Sequence, residues 1–500
     1  MFQLKISILL FINGVIVDTM VSLTFYGGVN EIGGNKILLE DKDTRIFLDF
    51  GMSFGKSGEF FSEFLMPKKC NGVNDYISLG LVPDLKGLYR PDYLEKTKKP
   101  AEEPEFDGIL LSHAHFDHNG FLNLVRPDIP LYCSEGSRCV MEMLDATSKM
   151  SEFLRQKVSF KFVDKKRGEG VKRLDSRDPE GTVKRDVKIA DKPFSIGSFK
   201  ITPIPVNHSL PGALAFAIET SSGTIIYSGD YRFHGYGDMT EKFIEKARSF
   251  DPVALITEGT RIRSNNVETE KEVYDTVTEF AGGSRQLVIA NFPVRDTDRM
   301  LTFQKAAQDN DRRLVVDLRQ AYLLKTLEEN GVEAPRLKDV DVYACRKSWG
   351  LVTEDVDKSL VYGDYDPWES EFIFGKNAVT CKDISGKQGD YVFRCEFFEL
   401  KELMDIQPHK DSHYIWSVTE PFDVKMELNE EIVLNWLKHF NITKIIRKHV
   451  SGHANGNDIK RAVETINPKK VYPVHTDYPG KFREFKPHTV RIKKYKEYKI

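Results

Sequence analysis

Short apolar runs separated by turns recur along the first half of the chain and predict β-strands. Such runs lie at residues 45–50, 108–111, 199–206 and 223–227. Glycines between residues 20 and 50 mark turns, so this segment is predicted to form a β-hairpin. The pattern indicates a layered fold with a substantial strand content.

A different rhythm of apolar and polar positions follows residue 260. Residues 267–281 predict an acidic helix, 286–290 a buried strand, 297–308 a second helix and 313–318 a second strand. Alternation of strand and helix is typical of parallel sheets. We therefore predict a mostly parallel α/β unit in the middle of the chain, with a further helix at residues 430–440 after the chain has left it.

The run at residues 108–111 leads directly into a segment rich in possible metal ligands. His113, His115, Asp117 and His118 fall within six positions. Imidazole and carboxylate groups suit zinc or manganese. Alternate residues of an extended segment point the same way, so His113 and His115 can reach one ion. Asp117 and His118 then turn toward a neighbouring position, where a second ion can bind.

Three later residues complete a possible ligand set. His208, Asp230 and His475 each follow a short β-like run, which is where ligands gather when strands share one open rim. Taken alone, either of these histidines is as compatible with a structural role as with metal binding. Together with the first cluster, they predict a two-metal site bridged by Asp230.

The order of these motifs resembles the metallo-β-lactamase fold. In that fold an early aspartate after a strand supports the metal ligands, and Asp49 matches it. The last histidine usually follows the bridging aspartate closely, whereas 245 residues separate Asp230 from His475 here. A domain inserted between them is the mark of the β-CASP nucleases.

The remaining β-CASP motifs are also matched. Glu258 occupies the acidic position of motif A, His453 in the segment 449–454 matches motif B, and His475 matches motif C. With the glycine-rich segment 27–35, these residues are most similar to the ribonuclease J branch and its archaeal relatives over roughly residues 20–490. The segments after Glu258 and after His475 depart from the family pattern without removing a ligand, and they leave the fine substrate preference open.

The resemblance implies an αββα sandwich with an inserted, mostly parallel α/β β-CASP domain. We place the first part of the sandwich at residues 20–260, the insert at 261–430 and the last part of the sandwich at 431–500. Residues 1–19 are interpreted as a non-native N-terminal extension, because the family-like strand begins just after Met20. A genuine amphipathic or exported leader is the alternative.

The resemblance also implies roles for individual residues. One ion is expected on His113, His115 and His208, and the other on Asp117, His118 and His475. Asp230 bridges them, and the ions are expected to be two zinc ions, with manganese as a substitute. The predicted catalytic residues are Asp117, Glu258 and His453, and the predicted substrate-binding residues are His449, Ser451 and His453. In this scheme His453 contacts the scissile phosphate and protonates the leaving oxygen, while Glu258 holds a histidine in place.

Composition bears on how the protein contacts nucleic acid and on where in the cell it is expected. The net charge is only −3, from 72 basic and 75 acidic residues, which is evidence against a large non-specific nucleic-acid surface but leaves room for a basic channel. The basic run at residues 164–187 is better interpreted as a solvated hairpin than as a phosphate-tracking loop. Six cysteines without a C-x-x-C pair indicate a reduced, cytoplasmic protein, and the apolar segment 6–17 is too short to span a membrane.

We therefore expect a metal-dependent ribonuclease that hydrolyses single-stranded RNA from the 5′ end. Additional endonuclease activity is compatible with the sequence, and so is a homodimer. A small-molecule hydrolase of thioesters or lactones is an alternative, but the long insert and motif B argue against it. A catalytically silent RNA-processing subunit is another, but the complete ligand set argues against that.

Overall fold

The computed structural model describes most of the chain. The described ranges are residues 11–12, 15–16, 20–62, 64–97, 99–100, 102–148, 151–166, 168–175, 178, 180–350, 358–419 and 424–500. The interpretation of residues 1–19 as a non-native extension therefore falls largely outside the described residues.

Two seven-stranded sheets form the first fold unit. In spatial order the first sheet contains Val187–Ile189, Leu131–Cys133, Gly108–Leu110, Thr44–Phe50, Lys36–Asp41, Ser22–Gly27 and Glu497–Lys499. The second contains Phe194–Ile196, Phe199–Pro205, Leu214–Thr220, Gly223–Tyr227, Ala254–Thr257, Lys470–Pro473 and His488–Thr489. Strands from the two ends of the chain thus join the same sheets, so the segment between them is an insert.

A third sheet forms the core of that insert, and all of its strand pairs are parallel. Its order is Ala378–Val379, Asp341–Tyr343, Arg313–Val316, Tyr391–Arg394, Val288–Asn291, His413–Trp416 and Lys444–Arg447. Short two-stranded pairs lie elsewhere: Phe11–Ile12 with Val15–Ile16, Arg155–Lys157 with Thr182–Lys184, and Phe162–Asp164 with Val171–Arg173. The last two pairs show that the basic run at 164–187 contains hairpin strands.

Helices cover the outer faces of all three sheets. The α-helices are Phe54–Gly58, Asn74–Ser78, Pro91–Leu94, Phe116–Asn119, Glu135–Thr147, Met239–Ser249, Glu270–Gly282, Thr297–Gln308, Leu318–Glu329, Lys358–Val361, Pro367–Ile373, Cys381–Gly386, Leu403–Ile406, Val424–His439 and Gly456–Ile466. Short 3-10 turns lie at Lys69–Asn71, Glu95–Thr97, Leu122–Leu124, Leu337–Asp339, Gln388–Asp390, Phe397–Glu402 and Pro479–Glu484. Within the described part of the chain, none of the helices is long and apolar enough to cross a membrane.

Alternating apolar residues along the strands explain how the two sheets of the sandwich pack against each other. Leu39, Ile46 and Leu48 of the first sheet are fully buried against Phe216 and Ile218 of the second, in one continuous core. Side chains on opposite faces of a strand alternate, so the next residues along these strands pack outward under the helices. Phe47, for example, joins a separate cluster beneath the helix Glu135–Thr147. These layers are the predicted αββα sandwich with its mostly parallel insert.

One strand pairing bears on where the insert ends. The predicted boundary at residue 430 falls inside the helix Val424–His439, because periodicity marks a helix without showing which sheet it covers. The following strand, Lys444–Arg447, pairs in parallel with His413–Trp416 of the insert sheet. We therefore propose that the insert continues to Arg447, directly before the motif that contains His453.

A close approach of two backbone segments fixes the ligand-rich loop against the first sheet. The amides of Gly34 and Asn35 donate to the carbonyl of Asp117 at 2.9 and 3.1 Å. A Cβ atom on Gly51 would lie 1.7 Å from that same carbonyl oxygen. Only glycine leaves room for this contact, so the loop geometry depends on residue 51.

We predict that Gly51→Ala lowers the thermal unfolding midpoint and reduces bound metal, since overpacking of this kind costs about 1–3 kcal/mol or more. Gly55→Ala is the matched control, because a Cβ there meets nothing within 4 Å. Calorimetry and metal analysis of both variants check the prediction. Equal stability and metal content in the two variants would show that the loop does not depend on this contact.

Candidate metal centre

The candidate ligands lie at one edge of the sandwich, where the carboxyl ends of several strands meet. The segment that contains His113 to His118 follows the strand Gly108–Leu110 of the first sheet and runs into the short helix Phe116–Asn119. The other three ligands follow strands of the second sheet: His208 after Phe199–Pro205, Asp230 after Gly223–Tyr227 and His475 after Lys470–Pro473. The two sheets therefore contribute to one site.

Three histidines form the first ligand group. His115 Nδ1 lies 3.0 Å from His113 Nε2 and 3.0 Å from His208 Nε2. His208 Nδ1 lies 2.5 Å from the carbonyl oxygen of Gly452. A carbonyl only accepts, so Nδ1 carries the proton and Nε2 of the neutral ring presents a lone pair to the other histidines. This tautomer leaves Nε2 of His208 free to bind a metal ion.

Two carboxylates and two histidines form the second group, which consists of Asp117, His118, Asp230 and His475. His475 Nε2 lies 3.0 Å from Asp117 Oδ2, and His118 Nε2 lies 3.1 Å from Asp230 Oδ2. The same Asp230 oxygen is 3.8 Å from His113 Nε2 of the first group. Asp230 therefore stands between the two groups, as a bridging carboxylate would.

A buried carboxylate behind the ligands holds three groups at once. Asp49 is fully buried and accepts hydrogen bonds from Ser112 N at 2.7 Å, Ser112 Oγ at 2.7 Å and Tyr227 OH at 2.5 Å. His118 Nδ1 lies 2.6 Å from Asp49 Oδ2. Such a carboxylate–histidine pair fixes the ring so that Nε2 faces the metal position.

His475 is fixed from its other side. Its Nδ1 lies 2.8 Å from Thr260 Oγ1, and its backbone amide donates to Gly28 O at 2.8 Å. His475 has φ +52° and Asp49 has φ +55°. Residues other than glycine adopt this left-handed backbone at some energetic cost, and such residues concentrate at functional sites.

The donor set fits divalent metal ions. Asp230 is buried, and its Oδ1 atom has no hydrogen-bond partner among the described residues. Buried carboxylate oxygens are normally paired with a donor or coordinate a cation. Imidazole nitrogens with oriented lone pairs and one shared carboxylate are the donors that zinc prefers. The structure thus supports a metal cofactor at this site.

Electrostatics differ between the two ligand groups. Burial lowers the pKa of His113 and His208 well below the usual value and lowers that of His115 to about 3, so this group is neutral. Burial also opposes charge on His118 and His475, but neighbouring carboxylates, above all Asp230, raise the pKa of both. The second group therefore stabilises positive charge, which a cation can supply in place of protons.

Motif A and motif B meet beside these ligands. Both oxygens of the buried Glu258 carboxylate lie 3.0–3.1 Å from His453 Nδ1, which is itself 3.7 Å from Asp230 Oδ2. Glu258 is held in turn by the amide of Tyr231 at 2.9 Å. Burial works against charge on His453, but Glu258 outweighs it and raises the pKa of His453 to about 9. The geometry makes Glu258 a residue that orients His453.

His449 and Ser451 lie further from the ligands. His449 Nδ1 is 3.1 Å from the carbonyl oxygen of Ser417, and burial lowers its pKa to about 3. Ser451 Oγ accepts from the amide of His453 at 3.2 Å. Both residues line a cavity of about 410 Å³ together with Trp416 and Arg447. Their predicted contact with substrate phosphates stays a prediction, whereas Ser451 also supports the loop of His453.

Substrate access is set by the members that remain partly exposed, which are His115, Asp117 and His453. The side chains of Asp117 and His453 are 18% and 21% exposed. Those of His113, His118, Asp230 and His475 are at most 1% exposed. The site therefore opens toward the side on which His115, Asp117 and His453 lie.

Several supporting residues were not predicted from the sequence. Ser112 and Tyr227 bind Asp49, and Thr260 binds His475, although the first two lie 63 and 178 residues from Asp49 along the chain. A hydroxyl group two positions after Glu258 was the visible signal for Thr260. Nothing in the sequence marked Tyr227, because its position in a buried strand is typical of core aromatics.

Comparison with known proteins agrees with this geometry. The β-lactamase superfamily domain matches residues 82–267, and the Zn-dependent metallo-hydrolase RNA specificity domain matches residues 435–484. Ribonuclease J 2 of Streptococcus pyogenes is 23% identical over 92% of this chain and 70% of its own length. Ribonuclease J of Helicobacter pylori is 28% identical over 92% of this chain, which spans 56% of that relative.

A solved structure shares the whole fold. The crystal structure of a protein of unknown function from Enterococcus faecalis V583 covers 96% of this chain and 100% of its own, with a TM-score of 0.71 and 22% sequence identity. At this identity the likeness shows the fold alone.

These findings define the class as a metallo-hydrolase of the metallo-β-lactamase fold that contains an RNA specificity domain. Within that class, the chain is a β-CASP ribonuclease J-like protein. The family and the fold class predicted from the sequence are confirmed.

We predict that Asp49→Asn weakens metal binding by about 10–100-fold, because His118 and Ser112 lose the charge that orients them. Metal affinity is measured by competition with a zinc chelator. Asp107→Asn is the matched control: Asp107 is exposed, accepts from Arg45 N at 2.7 Å, and lies at the opposite end of the strand Gly108–Leu110. Unchanged affinity in Asp49→Asn would remove Asp49 from the metal centre.

Proposed function

We propose that this chain is a metal-dependent ribonuclease that hydrolyses phosphodiester bonds of single-stranded RNA, as a 5′-to-3′ exonuclease with endonuclease activity. The observation that carries the proposal is the pairing of His453 with Glu258 beside the seven-residue ligand set. A protein of this fold that only bound RNA would need neither the His453–Glu258 pair nor a complete set of metal ligands. The names of the ribonuclease J relatives and the RNA specificity match support the choice of RNA.

Two zinc ions are the proposed cofactors, with manganese as a substitute. His113, His115 and His208 would hold one ion, and Asp117, His118 and His475 the other, with Asp230 shared. When bound, such a pair activates water near neutral pH and neutralises charge on the phosphate.

The residues of the chain supply the remaining chemistry. Asp49 and Thr260 keep His118 and His475 oriented. Glu258 occupies Nδ1 of His453, so Nε2 is the atom that can hold a proton for the leaving 3′ oxygen. The near-complete burial of five of the ligands excludes bulk water from that side of the reacting phosphate; they are His113, His118, His208, Asp230 and His475.

The decisive test uses purified, zinc- or manganese-loaded protein on 5′-monophosphorylated single-stranded RNA, with 5′-triphosphorylated RNA and matched DNA in parallel. We expect cleavage of RNA that stops in chelator. Hydrolysis of thioesters or lactones without RNA cleavage would favour the small-molecule alternative. RNA binding without any cleavage would favour a silent subunit.

We predict that His115→Ala and Asp230→Ala each abolish cleavage, because each removes a donor from an ion's shell. Metal analysis is expected to show close to two ions per chain in the parent protein and fewer in both variants. His409→Ala is the control, since His409 is an exposed histidine of the insert. Full activity in either ligand variant would contradict the metal mechanism.

We predict that His453→Ala lowers the single-turnover rate by about 10²–10⁴-fold, the usual cost of losing a general acid. RNA affinity and metal content change little, since the contact forms mainly in the transition state. Arg173→Ala provides the contrast: this exposed residue of the basic hairpin is expected to contribute modestly to RNA binding and not to turnover. Loss of metal from His453→Ala would make His453 a ligand and refute its proposed role.

A further inference from the structure

One arginine of the insert approaches the metal centre of the sandwich. Arg295 lies on the loop between the strand Val288–Asn291 and the helix Thr297–Gln308. Its guanidinium carbon is 5.6 Å from the centroid of the Phe116 ring. Phe116 lies between His115 and Asp117 in the chain, and Arg295 interacts electrostatically with both of these residues, which are assigned to different ions.

The guanidinium group of Arg295 is incompletely satisfied. Its Nη1 atom is buried and has no hydrogen-bond partner among the residues that the structure describes. Burial lowers the pKa of Arg295, whereas the charges of Glu396 and Asp117 oppose that shift. A buried cationic donor without a partner destabilises a folded protein, so its position calls for a ligand that completes it.

The loop that carries Arg295 is fixed on both sides. Arg394 Nε donates to Phe292 O at 3.2 Å, and Gln320 Nε2 donates to Val294 O at 3.3 Å. The side chain of the next residue, Asp296, accepts from the amide of Arg299 at 3.0 Å and caps the helix. The backbone therefore presents Arg295 in a defined position, which lowers the cost of binding a charged group there.

We propose that Arg295 binds a non-bridging oxygen of the phosphate that is cleaved, and is thus a catalytic residue contributed by the insert. This inference rests on the proposed ribonuclease function. In the reaction, the oxygen of water bonds to phosphorus. One of its two protons passes to solvent, and the other stays on the new phosphate oxygen. The bond to the 3′ oxygen breaks with its electron pair, and that oxygen takes the proton held by His453. Arg295 forms no covalent bond and balances the charge that grows on the phosphate oxygens.

The planar guanidinium group suits this task better than an ammonium group would. Arginine presents several donors in a fixed fork that matches phosphate oxygens, and it remains charged when buried. The assignment gives the insert a role in chemistry at ligands that all belong to the sandwich. A complete active site would then depend on residues from both the sandwich and the insert.

The test compares Arg295→Met and Arg295→Lys with the parent protein, all loaded with zinc. Arg248→Met is the matched control, because Arg248 is exposed at the end of the helix Met239–Ser249. We expect Arg295→Met to lower kcat/KM on single-stranded RNA by about 10²–10³-fold, Arg295→Lys to retain part of the activity, and the control to match the parent. The slope of log affinity against log salt should fall by about 0.7 in Arg295→Met.

Stability separates binding from structural support. If Arg295 serves a ligand, Arg295→Met keeps its zinc and unfolds at the parental temperature or above, because a buried donor atom without a partner has been removed. A lower unfolding midpoint or loss of zinc in both Arg295 variants would assign the residue a structural role and overturn the inference. Parental kcat/KM in Arg295→Met would overturn it as well.

A second measurement keeps this inference distinct from the proposed function. If the parent protein cleaves no RNA, the proposed function fails, and inorganic phosphate becomes the probe in calorimetric titrations of the zinc-loaded proteins. About tenfold weaker phosphate binding in Arg295→Met than in the parent would support an anion site at Arg295. Equal affinity in the two proteins would overturn that site too.

Discussion

The metal centre depends on one buried carboxylate, that of Asp49. It accepts hydrogen bonds from Ser112 of the ligand loop and from Tyr227 of the opposite sheet, and it lies 2.6 Å from His118. A buried charge is stable only when several donors surround it. Because these donors come from both sheets, satisfying Asp49 requires the sheets to meet in the register that brings the ligands together.

The same constraint explains why the sandwich and the insert contribute different residues to the site. The sandwich supplies rigid strand ends. The strand Gly108–Leu110 leads into four of the ligands, and other strands each precede one ligand or a supporting residue. The insert returns to the sandwich through the strand Lys444–Arg447, and the next loop carries His453 to Glu258. Reaction chemistry thus arises where a fixed metal site meets groups delivered by the second unit.

Much of this site could be predicted from the sequence, because its ligands are close in sequence or follow recognisable strands. The cluster at residues 113–118 and the later His208, Asp230 and His475 all lie together, as their positions after strands indicated. The spacing of ligands and the ends of strands are local features, so they can be recognised in a single sequence.

The residues that were missed depend on contacts that sequence patterns do not record. Tyr227 and Ser112 are ordinary residue types whose role appears only when distant strands pair. The insert boundary at residue 430 stays a prediction, because the helix Val424–His439 carries no sign of which sheet it covers. Arg295 was overlooked for a similar reason: its loop lies 178 residues beyond Asp117 and meets it only through the packing of the two units.

The central claim is that the two ligand groups hold a pair of metal ions. Crystals of the zinc-loaded protein measured on both sides of the zinc absorption edge test this claim directly. The account predicts two anomalous peaks, one coordinated by His113, His115 and His208 and one by Asp117, His118 and His475, with Asp230 between them. A single peak, or zinc bound elsewhere on the chain while these residues keep their present contacts, would contradict it.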